Sequence, residues 1–360
     1  MPISQVPFAG ISNPVDFRNI VINGDMQIAQ RSTSVASITS DGYYTVDRFL
    51  LQDNAIGTWT QSQSTDVPSG YGFVRSLKMD CTTADASPSA NDYLLLSQRF
   101  EGQNLQYLKK GTANALPLTA SFWVKSTKTG TFICEIIDRD NNRAISKSYT
   151  VNTTNTWEFK TVTFAGDTTG VLDNDNAASL DLFFWLGAGS SWTSGTLQTT
   201  WGSLVSANRA VGQVNIADNT ANDFLITGVQ LEAGEQASGF EFMPIDTNLA
   251  RCYRYCQVFG RTNAACMMVG QVYSSTQAYS GYQFIMPMRA APTLSYSALS
   301  DWAVNDATAG AKVLTGFSLV NTTTQNTEPL FTVASGLVAG NATALQAQSA
   351  NATFTLSAEL

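Results

Sequence analysis

The stretch GVQLEAGEQASGFEFMPIDTNLARCYRYCQVFG, residues 228–260, decides how the rest of the chain is read. Val229 and Leu231 alternate with Gln230 and Glu232, the period of two that half-buries a strand. Phe240, Phe242 and Met243 follow as a short extended run. Pro244 ends that run because proline cannot donate to a strand ladder. Asp246 or Thr247 then supplies an N-cap, its side-chain oxygen accepting from the unpaired N–H groups of a first helical turn. The helix expected there carries Arg251, Tyr253, Arg254 and Tyr255, residue types favoured at interfaces between subunits or domains. Strand, turn and short helix together mark a junction, where one β domain closes and another opens.

Outward from this junction, alternation of apolar and polar residues dominates. Strands are expected over residues 19–31, 45–52, 56–63, 71–80 and 92–100, then over 118–125, 131–138, 144–151, 156–164, 180–186 and 224–231. Residues 102–110 are the one helical pattern among them, with Leu105 and Leu108 on one face. About ten strands at short spacing, with turns rich in Gly and Asn, describe an all-β jelly-roll sandwich. Six further strand-like runs lie between residues 265 and 357. The division expected is therefore an arm over 1–18, a jelly roll over 19–245, a linker helix over 246–260 and a smaller β-sandwich over 261–360.

Composition narrows the function. Charged residues make up 13% of the 360, well under the usual quarter, so Ser, Thr, Asn and Gln must supply the polar surface. Twenty cations against 28 anions, net −8, argue against nucleic acid, whose phosphates are held by Lys and Arg. No apolar run approaches the roughly 18 residues of a membrane span. Residues 1–14 lack the basic start and apolar run of a secretory signal, which leads us to expect a protein made in the cytosol without export.

With no histidine in the chain, Ser-His-Asp and Cys-His catalysis are excluded. What remains is a carboxylate pair of glycosidase type, such as Asp138 with Asp140 or Asp173 with Asp175. Both pairs lie in Asn-rich loops where Asp is favoured simply for making turns, and no enzyme activity is expected. Zinc is unexpected without histidine, and the five cysteines read as buried thiols. Calcium is the more plausible ion, because Asp138, Asp140 and Asn142 carry the hard oxygen ligands it prefers.

Three phrases resemble a broad family of bacteriophage virion proteins, often tail fibres or fibre-like appendages. They are NIVINGDMQIAQR with YYTVDRF (residues 19–31 and 43–49), the junction already quoted, and FIMPMRAAPT (284–293). The phrases stand in family order across most of the chain. Phe49 replaces a common Trp and Cys256 a common Tyr. The run LTASFWVKS (118–126), with the later TWEFKTVTF (156–164), also resembles jelly-roll carbohydrate-binding modules. These resemblances imply a virion structural protein, a homotrimer contacting other virion proteins. Its role would be a tail appendage reading host-surface glycan, or alternatively a capsid fibre or decoration protein. Sugar contact needs rings that stack on pyranose faces, for which Trp185, Trp192, Trp201 and Tyr71 are the candidates. Trp123 and Trp157 are expected in the core. Arg31, Asp47 and Arg48 read equally as a buried ion pair or as solvated turn charges.

Overall fold

The computed structural model describes residues 17–360; the arm expected over 1–18 lies, except for its last two positions, outside the described residues. Twelve strands precede the junction: β1 (Ser34–Ile38), β2 (Leu50–Asn54), β3 (Thr58–Ser64), β4 (Ser76–Thr83), β5 (Tyr93–Glu101), β6 (Leu118–Ser126), β7 (Gly130–Asp138), β8 (Arg143–Val151), β9 (Glu158–Phe164), β10 (Ala178–Ala188), β11 (Gly202–Ser203) and β12 (Asp223–Ala233). They form two six-stranded sheets, β1-β3-β4-β12-β6-β9 and β11-β8-β7-β10-β5-β2, with antiparallel neighbours throughout. The protein is all-β in a jelly-roll arrangement.

The sheets stack through alternate side chains. Trp59, Phe122 and Val124 point in from the first sheet and meet Leu96, Ile136 and Phe184 from the second. Each such side chain contributes roughly 1.5–3 kcal/mol by leaving water. Trp123 and Trp157, expected in this core, are not part of it. Phe122 takes the inward position, so Trp123 faces out, half-buried against Tyr71 and Phe159. Trp157 is likewise half-buried, its indole N–H donating to Asp66. Two adjacent aromatics cannot both face inward on a pleated strand.

Residues 19–31 form no strand, although their pattern alternates. Asn23 and Met26 adopt positive φ, and the Asn23 amide bridges the backbone of Ile28 and Asp47 at 2.9–3.0 Å. The loop so shaped lies on β12: the Asn19 amide donates to the Val229 carbonyl, and the Val229 N–H donates to the Gly24 carbonyl. A Cβ on Gly24 would come within 2.0 Å of the Val229 oxygen, so this approach requires glycine. Residues 102–110 form two 3-10 turns instead of one helix.

Among the described residues there are two short α-helices, α1 (Ser190–Thr193) and α2 (Ile245–Tyr253). The latter starts one residue before the expected cap. Pro244, at φ −53° and extended ψ, occupies the N-cap position and no side chain caps the turn. Asp246 sits instead in the first turn, where a negative charge suits the helix dipole. The helix also ends early, and Cys256 already belongs to a strand.

Ten strands follow: β13 (Cys256–Gly260), β14 (Cys266–Ser274), β15 (Gln277–Tyr279), β16 (Tyr282–Gln283), β17 (Thr293–Tyr296), β18 (Trp302–Asp306), β19 (Gly310–Val320), β20 (Asn326–Val333), β21 (Ala342–Ala347) and β22 (Thr353–Ser357). A seven-stranded sheet, β15-β14-β21-β18-β19-β20-β16, curls back on itself because β15 also pairs with β20. The three-stranded β13-β22-β17 completes this part, and Trp302, Phe317, Phe331 and Phe354 fill a separate core.

Candidate functional site

Alternate residues of the second sheet face away from the jelly-roll core, and they are not the polar set expected of a solvated face. Trp185 on β10 stands opposite Leu95 on β5, which stands opposite Gln52 on β2. Phe183 and Glu135 form the next row, and Asp181 and Ile137 the row after. Side chains directly across a ladder share one face, so these residues make a continuous floor.

Residues 189–215 fold over half of that floor. Trp192 on α1 anchors the flap: its indole N–H donates to the Asn91 carbonyl at 3.2 Å, and its own carbonyl accepts from the Ala210 N–H at 2.9 Å. Farther along, the Leu204 N–H donates to the Asn142 carbonyl at 2.9 Å. Between flap and floor a cavity of about 300 Å³ remains, with Tyr93, Phe183, Trp192, Arg139 and Arg209 among its walls. Its size is at the lower end of small-molecule sites.

Two ion pairs hold the walls. Arg209 meets the fully buried Glu135 through Nε and Nη2 at 2.9 and 3.0 Å, and the Trp185 indole donates to the same carboxylate at 2.9 Å. A buried carboxylate is tolerable only with such partners. The Arg209 guanidinium also lies 5.0–5.4 Å from the rings of Trp185, Trp192 and Phe183, within cation–π range. Arg139 donates to Asp181 from Nε at 2.8 Å and from Nη2. Burial pushes the Asp181 carboxyl above its ordinary range, while Arg139 pulls it back. Tyr93 packs edge-on against Trp192 at 5.4 Å. Burial, and after it the Asp41 charge, raise the Tyr93 hydroxyl.

The four aromatics singled out in sequence fall in three places. Trp185 and Trp192 come together, with ring centroids 5.9 Å apart, but Trp185 is fully buried and serves as the floor behind Trp192. Trp201 lies elsewhere, its indole donating to the Ala165 carbonyl at 2.6 Å and its ring 4.8 Å from the Lys110 ammonium. Tyr71 belongs to the outer face of the first sheet, 4.3 Å from Trp123. With Phe159 and Phe242 it borders a second hollow of about 300 Å³, and these three rings are 56, 47 and 48% exposed. Tyr93, Arg139 and Arg209 carry no signal in the sequence. They meet only through strand register and the return of the flap.

The oxygen ligands proposed for calcium are likewise dispersed. Asp138 is fully buried and faces the Lys110 ammonium, which also bonds Asp167 at 2.8 Å and the Gly170 carbonyl at 2.9 Å. Asp140 accepts from the Asp173 N–H at 2.9 Å, and Asn142 sits at positive φ in the turn with its carbonyl bound to Leu204. Among the described residues, no three His, Cys, Asp or Glu side chains converge as metal ligands. Lysine fills the place beside Asp138 that a cation would take.

The helix residues lie between the two cores. Arg254 forms a paired contact with Glu101 at 2.7 and 2.6 Å, and the Tyr255 hydroxyl donates to the same carboxylate. Burial works against the Glu101 charge, but these donors bring its carboxyl below the usual range. Arg251 reaches the Met243 sulfur and the Asn19 carbonyl, while Tyr253 is half-buried. Arg48 is buried, pairs with Glu359 and stacks on Tyr255; Arg31 meets Glu359 at 3.2 Å. Arg289 donates to the carbonyls of Ala358 and Glu359 at 2.8 and 2.9 Å. The recurring phrases of the sequence thus converge on this junction, away from the cavity. Of the two readings left open for Arg48, the buried ion pair is the one found.

No protein-family profile matches the chain, and no characterised protein matches it by sequence. Solved structures give partial matches. The enzymatically active domain of tailspike protein 4 from bacteriophage CBA120 is similar over 60% of this chain at 16% identity, with a TM-score of 0.31; the match spans 22% of that tailspike's length. The module TmCBM61, solved with β-1,4-galactotriose, is similar over 60% of this chain and 99% of its own, at 9% identity and a TM-score of 0.30. A family 11 carbohydrate-binding module from Clostridium thermocellum, with a mixed-linked tetrasaccharide, covers 56% of this chain and 99% of its own at 14% identity and a TM-score of 0.28.

Proposed function

We propose that this chain is a bacteriophage virion structural protein, a fibre-like tail appendage that binds host-surface glycan in the cavity between Trp192 and Tyr93. The observation that carries the reading is the cavity itself. Two half-buried rings stand at right angles over a floor of aromatic, aliphatic and ion-paired residues, with guanidinium and amide donors beside them. A pyranose presents an apolar C–H face and a rim of hydroxyls, and needs this combination of ring and donor. The phage setting rests on the three sequence phrases. Assembly as a homotrimer with other virion proteins belongs to the same proposal.

We read the protein as a binder, without hydrolysis. Glycosidase chemistry needs one carboxyl free to give a proton and another free to attack or to activate water. Glu135, Asp138 and Asp181 are each engaged by a cation, and Asp140 accepts from a backbone amide.

The test is binding of the purified protein to intact host cells and to extracted surface glycan, beside Trp192→Ala. Saturable binding lost in the variant is the expected result. A folded protein that binds neither preparation overturns the reading.

A second reading, a capsid fibre or decoration protein, draws on the exposed rings of Tyr71, Phe159 and Phe242. A contiguous aromatic surface of this kind suits burial against another protein. Labelled antibody on intact particles separates the two: signal at the tail favours the first, signal over the head the second.

A further inference from the structure

The charged groups around the cavity are not symmetrical in what they leave unused. Every acidic oxygen of the lining and floor at its Arg139 end faces a donor or is buried. Asp138 is enclosed by Lys110 and Asn141, Glu135 takes Arg209 and Trp185, and one Asp181 oxygen takes Arg139. The other Asp181 oxygen is buried, without a partner and closed to solvent. The guanidiniums, by contrast, are only partly used. Each has five N–H donors, and both Arg139 and Arg209 commit Nε and Nη2 inward, leaving Nη1 with no acceptor among the described residues. Arg139 is 38% exposed at the cavity wall, and Gln52 adds an amide whose oxygen already accepts from Ser97.

Local charge agrees with this count. Arg99, Arg139 and Arg209 surround Asp181 and Glu135, three cations against two anions. Asp138 and Asp167 are balanced by Lys110 and Arg143. The protein as a whole carries −8, whereas each anion of this end's lining and floor is matched by a cation, so the lining is less negative than the molecule at large. At the other end, Tyr93 feels the charges of Asp41 and Asp53 as well as that of Arg209.

We propose that the cavity selects an acidic glycan, with the anionic group of the sugar on the free Nη1 edges of Arg139 and Arg209 and the pyranose against Trp192 and Tyr93. This rests on the glycan-binding reading above and names its substrate class. A guanidinium edge recognises a uronate or sialate carboxylate and a sulfate or phosphate ester by the same charge-assisted hydrogen bonds. A neutral sugar would occupy the rings and leave those donors without an anion.

The experiment uses the full chain on an array of matched oligosaccharides. Each carries a uronate, sialate, sulfate or phosphate group beside its carboxyl-reduced or de-esterified neutral form. The expected result is binding of at least one acidic member with a Kd about tenfold or more below that of its neutral partner, the size of one hydrogen bond to a charged group. The preference should weaken as salt rises. Arg139→Gln combined with Asp181→Asn, which removes both members of the pair, should cut the preference severalfold, the remainder resting on Arg209, while neutral binding persists. The ester and carboxylate arms identify the anion. Equal binding of acidic and neutral partners overturns the selectivity and leaves the glycan reading standing. A preference undiminished in the double variant overturns the assignment to Arg139, and absence of binding across the array overturns both proposals.

Discussion

The guanidinium of Arg48 lies 3.5 Å from the centroid of the Tyr255 ring, with the Glu359 carboxylate on its edge. One residue comes from the early DRF phrase, one follows helix α2, and one follows strand β22. This stack therefore joins the jelly roll, the junction and the C-terminal strands around one buried cation. Replacing Arg48 by Ala leaves Glu359 buried with only Arg31 beside it, a loss of about 3–5 kcal/mol for a broken buried pair. Arg48→Leu with Glu359→Leu should cost much less, because neither charge is then left unpaired. Thermal melts of the three proteins check this ordering.

Gly24 makes a second such contact. Its missing Cβ leaves room for the Val229 oxygen, so Gly24→Ala should pry the NGD loop from β12 and lower the melting temperature by several degrees. Gly239→Ala, where a Cβ meets nothing within 4 Å and φ is not left-handed, is the control and should melt like the parent.

Asp53 gives the protein a pH dependence with a definite sign. Burial raises its carboxyl to about 6, against a hydrogen bond from the Ile56 N–H, and its Oδ2 has no partner. The unfolded value is about 4. The folded state thus holds this proton more tightly, so the contribution is complete below about pH 4 and is lost as pH rises through 6. Asp53→Asn keeps the acceptor for Ile56 and removes the titration. It should match the parent at pH 4 and exceed it at pH 8 by up to roughly 3 kcal/mol, read from urea unfolding at the two pH values.

The aromatic candidates should separate by assay. Trp192→Ala and Tyr93→Ala are expected to lose glycan binding about tenfold or more. Because Trp192 also anchors the flap, its variant should lose about 2–4 kcal/mol of stability as well, whereas Tyr93→Ala should melt closer to the parent. Trp201→Ala should keep its affinity and lose stability by about 2–4 kcal/mol, since Trp201 covers Lys110 and caps the Ala165 carbonyl. Tyr71→Ala should change neither affinity nor, beyond about 1 kcal/mol, stability. Titration calorimetry beside thermal melts resolves the four.

Much of the fold was legible because strand period is a local signal. The run LTASFWVKS announces β6, and the Asn-rich loop that holds Asp138, Asp140 and Asn142 is the turn into β8. Which of Phe122 and Trp123 faces inward is not local, since both are apolar and only the opposing sheet decides. Residues 19–31 mislead for a different reason: Asn19 and Asn23 bond the backbone through their side chains, and no propensity scale counts that. The cavity was least legible. Trp192 could be suspected from its Ser- and Gly-rich surroundings, but Tyr93, Arg139 and Arg209 are brought together by pairings across more than one strand and one returning loop.

The contact between Arg48 and Glu359 spans 311 positions of sequence. During synthesis the arginine leaves the ribosome long before its carboxylate exists, and loop closure over such a distance is slow. The jelly roll can collapse in that interval with an uncompensated cation at its border, a state that favours neither deep burial nor premature docking. Completion of the hub is then a late step in folding. A nascent chain stalled before residue 359 lacks the ion pair that ties the jelly roll to the C-terminal strands.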